Sequence, residues 1–144
     1  MGQQQLLLII LGVIIVGIAI AVGLQLFQSG SIGANQDAIV NDIMNISSHA
    51  DQWRIRPQSM GGGGGQFDGG DGDAYSLPER MRTTGNGEYT AVAQGADQIL
   101  ITGTSTIHAG GEIQLLYDAT GETESERFTW SSDGTVFDLG SEIE

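Results

Sequence analysis

Residues 6–24 form an unbroken apolar run of 19, punctuated only by glycines, and the amphipathic stretch that follows contains no helix breaker. A helix rising about 1.5 Å per residue makes such a run roughly as long as the 30 Å hydrocarbon core of a bilayer. A secretory signal peptide is the first rival reading. It needs a basic start, an apolar core of about 7 to 15 residues and a small-residue cleavage site. The stretch Met1-Gly2-Gln3-Gln4-Gln5 carries no positive charge and the apolar run is too long, although Ala21-Val22-Gly23 fits a cleavage site. Myristoylation fits less well, because Leu6 stands where the motif requires Ser or Thr.

Beyond this run the pattern becomes one-sided. Ile32, Ile39, Ile43, Ile46, Ala50 and Trp53 follow one another at spacings of 7, 4, 3, 4 and 3, a single stripe of an α-helix. Asn35, Gln36, Asn41, Asp42, Asn45, Ser48 and Asp51 are expected on the opposite, wet face. Arg54 and Arg56 occupy the last turn, where cations offset the negative end of the macrodipole, and Pro57 stops the helix. Residues 6–56 therefore read as one helix of about 75 Å, weakened locally by Gly12, Gly17, Gly23, Gly30 and Gly33. Its second half can lay its stripe on a sheet of the same chain. Its first half is apolar all round and needs lipid or copies of itself, with the glycines permitting close helix approach.

The pattern changes again after Pro57. Residues 58–72 are dominated by glycine, including the run 61–65, and read as a long surface loop. From Gly87 a period of two appears between turn residues. Tyr89, Ala91 and Ala93 alternate with polar neighbours, Ile99 and Ile101 sit in a short apolar run, and Ile113, Leu115 and Tyr117 alternate with Glu112, Gln114 and Asp118. Phe128 and Trp130 follow in the same way, and Asp133-Gly134 signals a hairpin before Val136, Phe137 and Leu139. Four to five antiparallel strands result, apolar on one face. The stripe from Ile32 to Trp53 supplies the cover.

Charge and cysteine content narrow the chemistry. The net charge is −13, lysine is absent, and residues 1–36 carry no ionisable side chain. Beyond Pro57 there are 15 acids against Arg80, Arg82 and Arg127, so binding to nucleic acid through phosphates is excluded. With no cysteine, neither a disulfide framework, thiolate catalysis nor a Cys-based zinc site is available. No catalytic residue is expected: His49 lies on the helix, His108 lies in a Gly-containing turn, and no spacing brings either to a nucleophile. The glycine run lacks the Lys-Ser/Thr and helix start of a phosphate loop, which leaves a flexible loop or close backbone packing. Asp68, Asp71 and Asp73 form the one local ligand signal, three carboxylates in a glycine loop of the kind Ca²⁺ takes, with a solvated acidic turn as the plainer reading. Asn45-Ile46-Ser47 matches a glycosylation sequon on a helix face.

An apolar N-terminal helix continuing into an amphipathic half, then a loop and a small antiparallel meander, resembles the type IV pilin and pseudopilin family. The resemblance implies an α+β fold divided into an apolar helix (1–30), its amphipathic continuation (31–56), a Gly-rich acidic loop (57–86) and a sheet head (87–144). In that family a glutamate stands five residues into the mature chain. Counted from Met1, Gln5 holds that place, an acceptor without charge. The implied function is that of a structural subunit, inserted in the cytoplasmic membrane before the pilus assembly machinery packs many copies into an extracellular filament. Gln5, Leu6, Leu8, Val13, Val16, Ile20 and Leu24 would then lie in the assembly interface, and Arg54 and Arg56 would pair with acidic heads of neighbours. Two alternatives are a minor pseudopilin of a secretion machine and a membrane-anchored ligand-binding domain, the latter using the glycine loop and acidic cluster as its site.

Overall fold

The computed structural model describes residues 2–107, 110–120, 126–131 and 137–138. Helix α1 (Gly2–Ile55) runs unbroken through all five glycines and ends one residue before the expected position. It is followed by a 3-10 turn (Gln58–Met60), the one-turn helix α2 (Glu79–Arg82), and strands β1 (Gly87–Ala93), β2 (Gln98–Ser105), β3 (Glu112–Asp118), β4 (Glu126–Ser131) and β5 (Phe137–Asp138). The strands form one sheet in sequence order, every neighbouring pair antiparallel. The α+β fold expected from the hydropathy pattern is thus present. The hairpin signal Asp133-Gly134, together with Val136, Leu139 and His108, lies outside the described residues.

The chain divides into two compact units, Met1–Ala34 and Asn35–Glu144. The described part of the first is helix alone. In the second, the alternation of apolar and polar residues places Tyr89, Ile99, Ile101, Ile113 and Leu115 on one face of the sheet, where they are buried with Ile39, Ile43, Ile46 and Ala50 of α1. Each of the Ile and Leu side chains contributes about 1.5 to 3 kcal/mol. Gly103 sits opposite Tyr89 in the β1–β2 register, and a Cβ there would meet Ile39 Cγ2 at 2.8 Å and Ile43 Cδ1 at 3.1 Å. The missing side chain sets how closely helix and sheet approach, and the Tyr89 ring covers the gap, 3.0 Å from where that Cβ would stand.

One expectation needs correction. Asn35 and Asp42, expected on the wet face of the helix, do not lie there: Asn35 is buried and Asp42 is half-buried against the strand side of the unit. Ser105 Oγ donates to Asn35 Oδ1 (2.6 Å), and Asn35 Nδ2 donates to the Asn86 carbonyl (3.1 Å). Thr84 Oγ1, Asn86 Nδ2 and Tyr89 OH all donate to Asp42 Oδ2, at 3.0, 3.1 and 2.7 Å. Hydropathy alone assigns such groups to water, but paired polar groups can be buried at little net cost.

Residues 58–72, expected as a surface loop, are exposed at most positions and are ordered by contacts with the helix end. The glycine run folds back on the C-terminus of α1 and closes it. The N–H groups of Gly63, Gly65 and Gly64 donate to the carbonyls of Trp53, Arg54 and Arg56, at 2.9, 2.8 and 2.9 Å. These are carbonyls that a helix end leaves without intrahelical partners. Gly63 is buried, and only glycine fits there, since a Cβ would fall on the Gln66 carbonyl and within 2.6 Å of the Trp53 ring; Gly65 has φ +102°. The segment then delivers Phe67, Tyr75 and Leu77 to the core, all buried, with Phe67 N–H donating to the Ala96 carbonyl.

Candidate assembly surface

The first unit presents the clearest chemical anomaly of the chain. Leu6 is 60% exposed, Leu8 68%, Val13 67%, Val16 58%, Ile20 59% and Leu24 61%, and Gln5 is exposed beside them. Apolar residues surround the helix on every side, so no rotation hides them. Nothing lies within 4 Å of where a Cβ would stand on Gly12, Gly17, Gly23, Gly30 or Gly33. Exposed apolar patches larger than a few hundred Å² are rare on soluble monomers and mark contact with protein or membrane. By length and composition α1 holds a stretch able to cross a membrane, and that stretch is wholly unburied. What this surface can do chemically is associate.

Arg54, expected to reach a neighbouring copy, has its partners within its own unit. Its Nε donates to Asp51 (3.2 Å), its Nη1 donates to the Gly65 carbonyl (3.0 Å) and lies 4.0 Å from Asp97, and its guanidinium sits over the Phe67 ring at 5.6 Å. It therefore holds the glycine segment against the end of α1. Arg56 is exposed, and its carbonyl takes part in the same closure.

Asp68, Asp71 and Asp73 are all exposed, and Asp68 Oδ1 accepts from the Gly70 N–H at 3.1 Å, an ordinary turn contact. Among the described residues no three acidic, histidine or cysteine side chains are gathered so as to hold a metal ion. Beside this turn a cleft of about 410 Å³ is lined by Trp53, Gln58, Gly62, Asp73 and Ser76 among others.

His49 is more involved than the sequence suggested. Its Nδ1 lies 2.9 Å from the Tyr75 hydroxyl, and Trp53 meets the Tyr75 ring edge-on at 5.5 Å. Burial pushes the Tyr75 hydroxyl up to about 12. Burial and the neighbouring Asp42 do the same to Tyr89, also to about 12. Both phenols stay protonated at neutral pH and act as fixed hydrogen-bonding groups that tie α1 to the rest of its unit. Neither Tyr75 nor the Asp42 cluster could be paired from spacing, because their partners lie 26 and 42 to 47 residues apart.

Comparison of the chain with protein-family models, curated proteins and solved structures gave no match.

Proposed function

We propose that this protein is the structural subunit of a helical filament of the type IV pilin kind, anchored in a membrane by its N-terminal helix before assembly and packed with other copies through that helix afterwards. One observation carries the reading: residues 2–34 are helical without an ionisable side chain, and the apolar run 6–24 within them is exposed at every position. A plain anchor would account for about 20 apolar residues. The filament reading also gives a use to the glycines, which let helix backbones approach one another. Contacts of a heterologous kind, repeated by a screw operation, produce open fibres. The acidic second unit, carrying every acid of the chain, would form the solvated exterior. The role is structural and requires no cofactor.

Electron microscopy of material sheared from cells producing the full chain, with mass identification of the subunit, tests the proposal. Filaments built from this chain are expected. If the chain stays in the membrane fraction as a monomer, it is an anchored domain, and the cleft beside Trp53 becomes the place to look for a ligand. Short, non-propagating complexes with other subunits would indicate a minor pseudopilin.

A further inference from the structure

Of the asparagines in the chain, Asn35, Asn41, Asn45 and Asn86, the last alone is followed by glycine. A glycine has no side chain to shield its own nitrogen, so that nitrogen can approach the side-chain amide of the residue before it. The fold needs both members of this pair. A Cβ on the buried Gly87 would stand 2.6 Å from the Thr104 carbonyl oxygen of the neighbouring strand β2, so no other residue fits there. Asn86 Nδ2 donates to Asp42 Oδ2 at 3.1 Å, and the Asn86 carbonyl accepts from Asn35 Nδ2 at 3.1 Å and from the Thr106 N–H at 3.4 Å. The Asn86 N–H donates to Thr84 Oγ1 at 3.2 Å. Half-buried Asn86 is thus held at backbone and side chain together, by α1 on one side and by the end of β2 on the other.

We propose that Asn86-Gly87 is a self-modification site which the contact between α1 and the sheet keeps closed. When that contact opens locally, the Asn86 side chain is released to meet the Gly87 nitrogen. The Gly87 nitrogen attacks Asn86 Cγ, the new C–N bond closes a succinimide ring, and the side-chain nitrogen leaves as ammonia with the Gly87 proton. Water then adds to either ring carbonyl and breaks its bond to the Gly87 nitrogen, giving aspartate or isoaspartate without any oxidant or reductant. Both products oppose reclosure. Aspartate puts a carboxylate oxygen where the amide nitrogen stood, against Asp42 Oδ2, which loses one of its three donors. Two carboxylates at that separation disfavour each other's charge. Isoaspartate lengthens the main chain by one carbon immediately before β1 and turns the carbonyl that Asn35 holds into a free carboxylate. The modification therefore marks, irreversibly, chains whose helix has left the sheet.

The full chain in detergent micelles, incubated in mildly alkaline buffer with and without denaturant, provides the test. Peptide mass spectrometry reads conversion of amide to acid at each asparagine. In the unfolded chain Asn86 should convert ahead of Asn35, Asn41 and Asn45. In the folded chain its conversion should be at least about tenfold slower, since opening must first break a hydrogen bond to a charged acceptor. The consequence is measured separately by substitution. Asn86→Asp should unfold at a lower denaturant concentration than Asn86→Ala, which loses the same donor without adding a charge, and failure of Asn86→Asp to fold at all would be the same effect at its limit. Equal conversion of Asn86 in folded and unfolded chains, or no preference for Asn86 in the unfolded chain, would overturn the site as one the fold controls. An Asn86→Asp variant as stable as Asn86→Ala would overturn the opposition to reclosure.

Discussion

Residues 2–34 and 35–55 belong to one helix with one backbone conformation, yet they solve different problems. The second stretch buries Ile39, Ile43, Ile46 and Ala50 within its unit and buries Asn35 with them. The first buries nothing within its own unit, although its composition is far more apolar. The difference teaches that burial here follows periodicity and pairing rather than apolar content. A one-sided stripe with a few well-placed polar groups specifies a partner surface. An apolar rod specifies only that some surrounding must exist.

The largest expected effect separates the two stretches directly. Val13→Asp places a carboxylate on the 67%-exposed position of the first unit, a change that costs several kcal/mol once that position is enclosed by lipid or by other helices. Filament yield should fall to background while the thermal unfolding of the second unit stays as in the unmodified chain. Normal filament yield would show that residues 2–34 are not a dry assembly core.

A sharper comparison uses two adjacent residues of the second stretch. Ile43 is fully buried and Met44 is 41% exposed. Ile43→Ala should destabilise the folded unit by about 2 to 5 kcal/mol, and Met44→Ala by no more than about 0.5 kcal/mol. Denaturant unfolding of the full chain in detergent micelles, followed by tryptophan fluorescence, measures both. Equal losses would mean that α1 does not pack on the sheet by the face described.

Much of this division was legible in the sequence, for physical reasons that can be named. The period-3.6 stripe of six apolar positions and the period-2 strands between turn residues identify the helix face and the sheet face independently of tertiary context. The expected cover of one by the other then follows from the need to bury both. What was illegible depends on partners distant in sequence. Asn35 and Asp42 look solvated because their donors and acceptors lie at Thr84, Asn86, Tyr89 and Ser105. The glycine run looks flexible because its order comes from carbonyls at the end of α1 and from Arg54, none of which a local pattern reveals. Phe67, Tyr75 and Leu77 lie in a stretch without periodicity, so their burial had no local signal.

The Asp42 cluster gives the smallest expected effect and the finest distinction between the two stretches, since residues 2–34 contain nothing that titrates. Burial raises the Asp42 carboxyl, but the hydrogen bonds from Tyr89, Asn86 and Thr84 outweigh it and hold the group below the usual carboxylate range. A carboxyl depressed in the folded state adds stability that is fully present above its unfolded value near 4 and is lost as pH falls through the folded value. Acidification below about pH 4 should therefore weaken the second unit partly through this group. Asp42→Asn should lower its stability at neutral pH by about 1 to 2 kcal/mol, because three donors lose a charged acceptor. The variant should also lose less stability than the unmodified chain between pH 5 and pH 2, a window set by the unfolded value near 4 and the depressed folded one. Parallel acid limbs for the two proteins would show that the three hydrogen bonds do not favour the ionised form, and that the polar end of the helix–sheet contact contributes by packing rather than by charge.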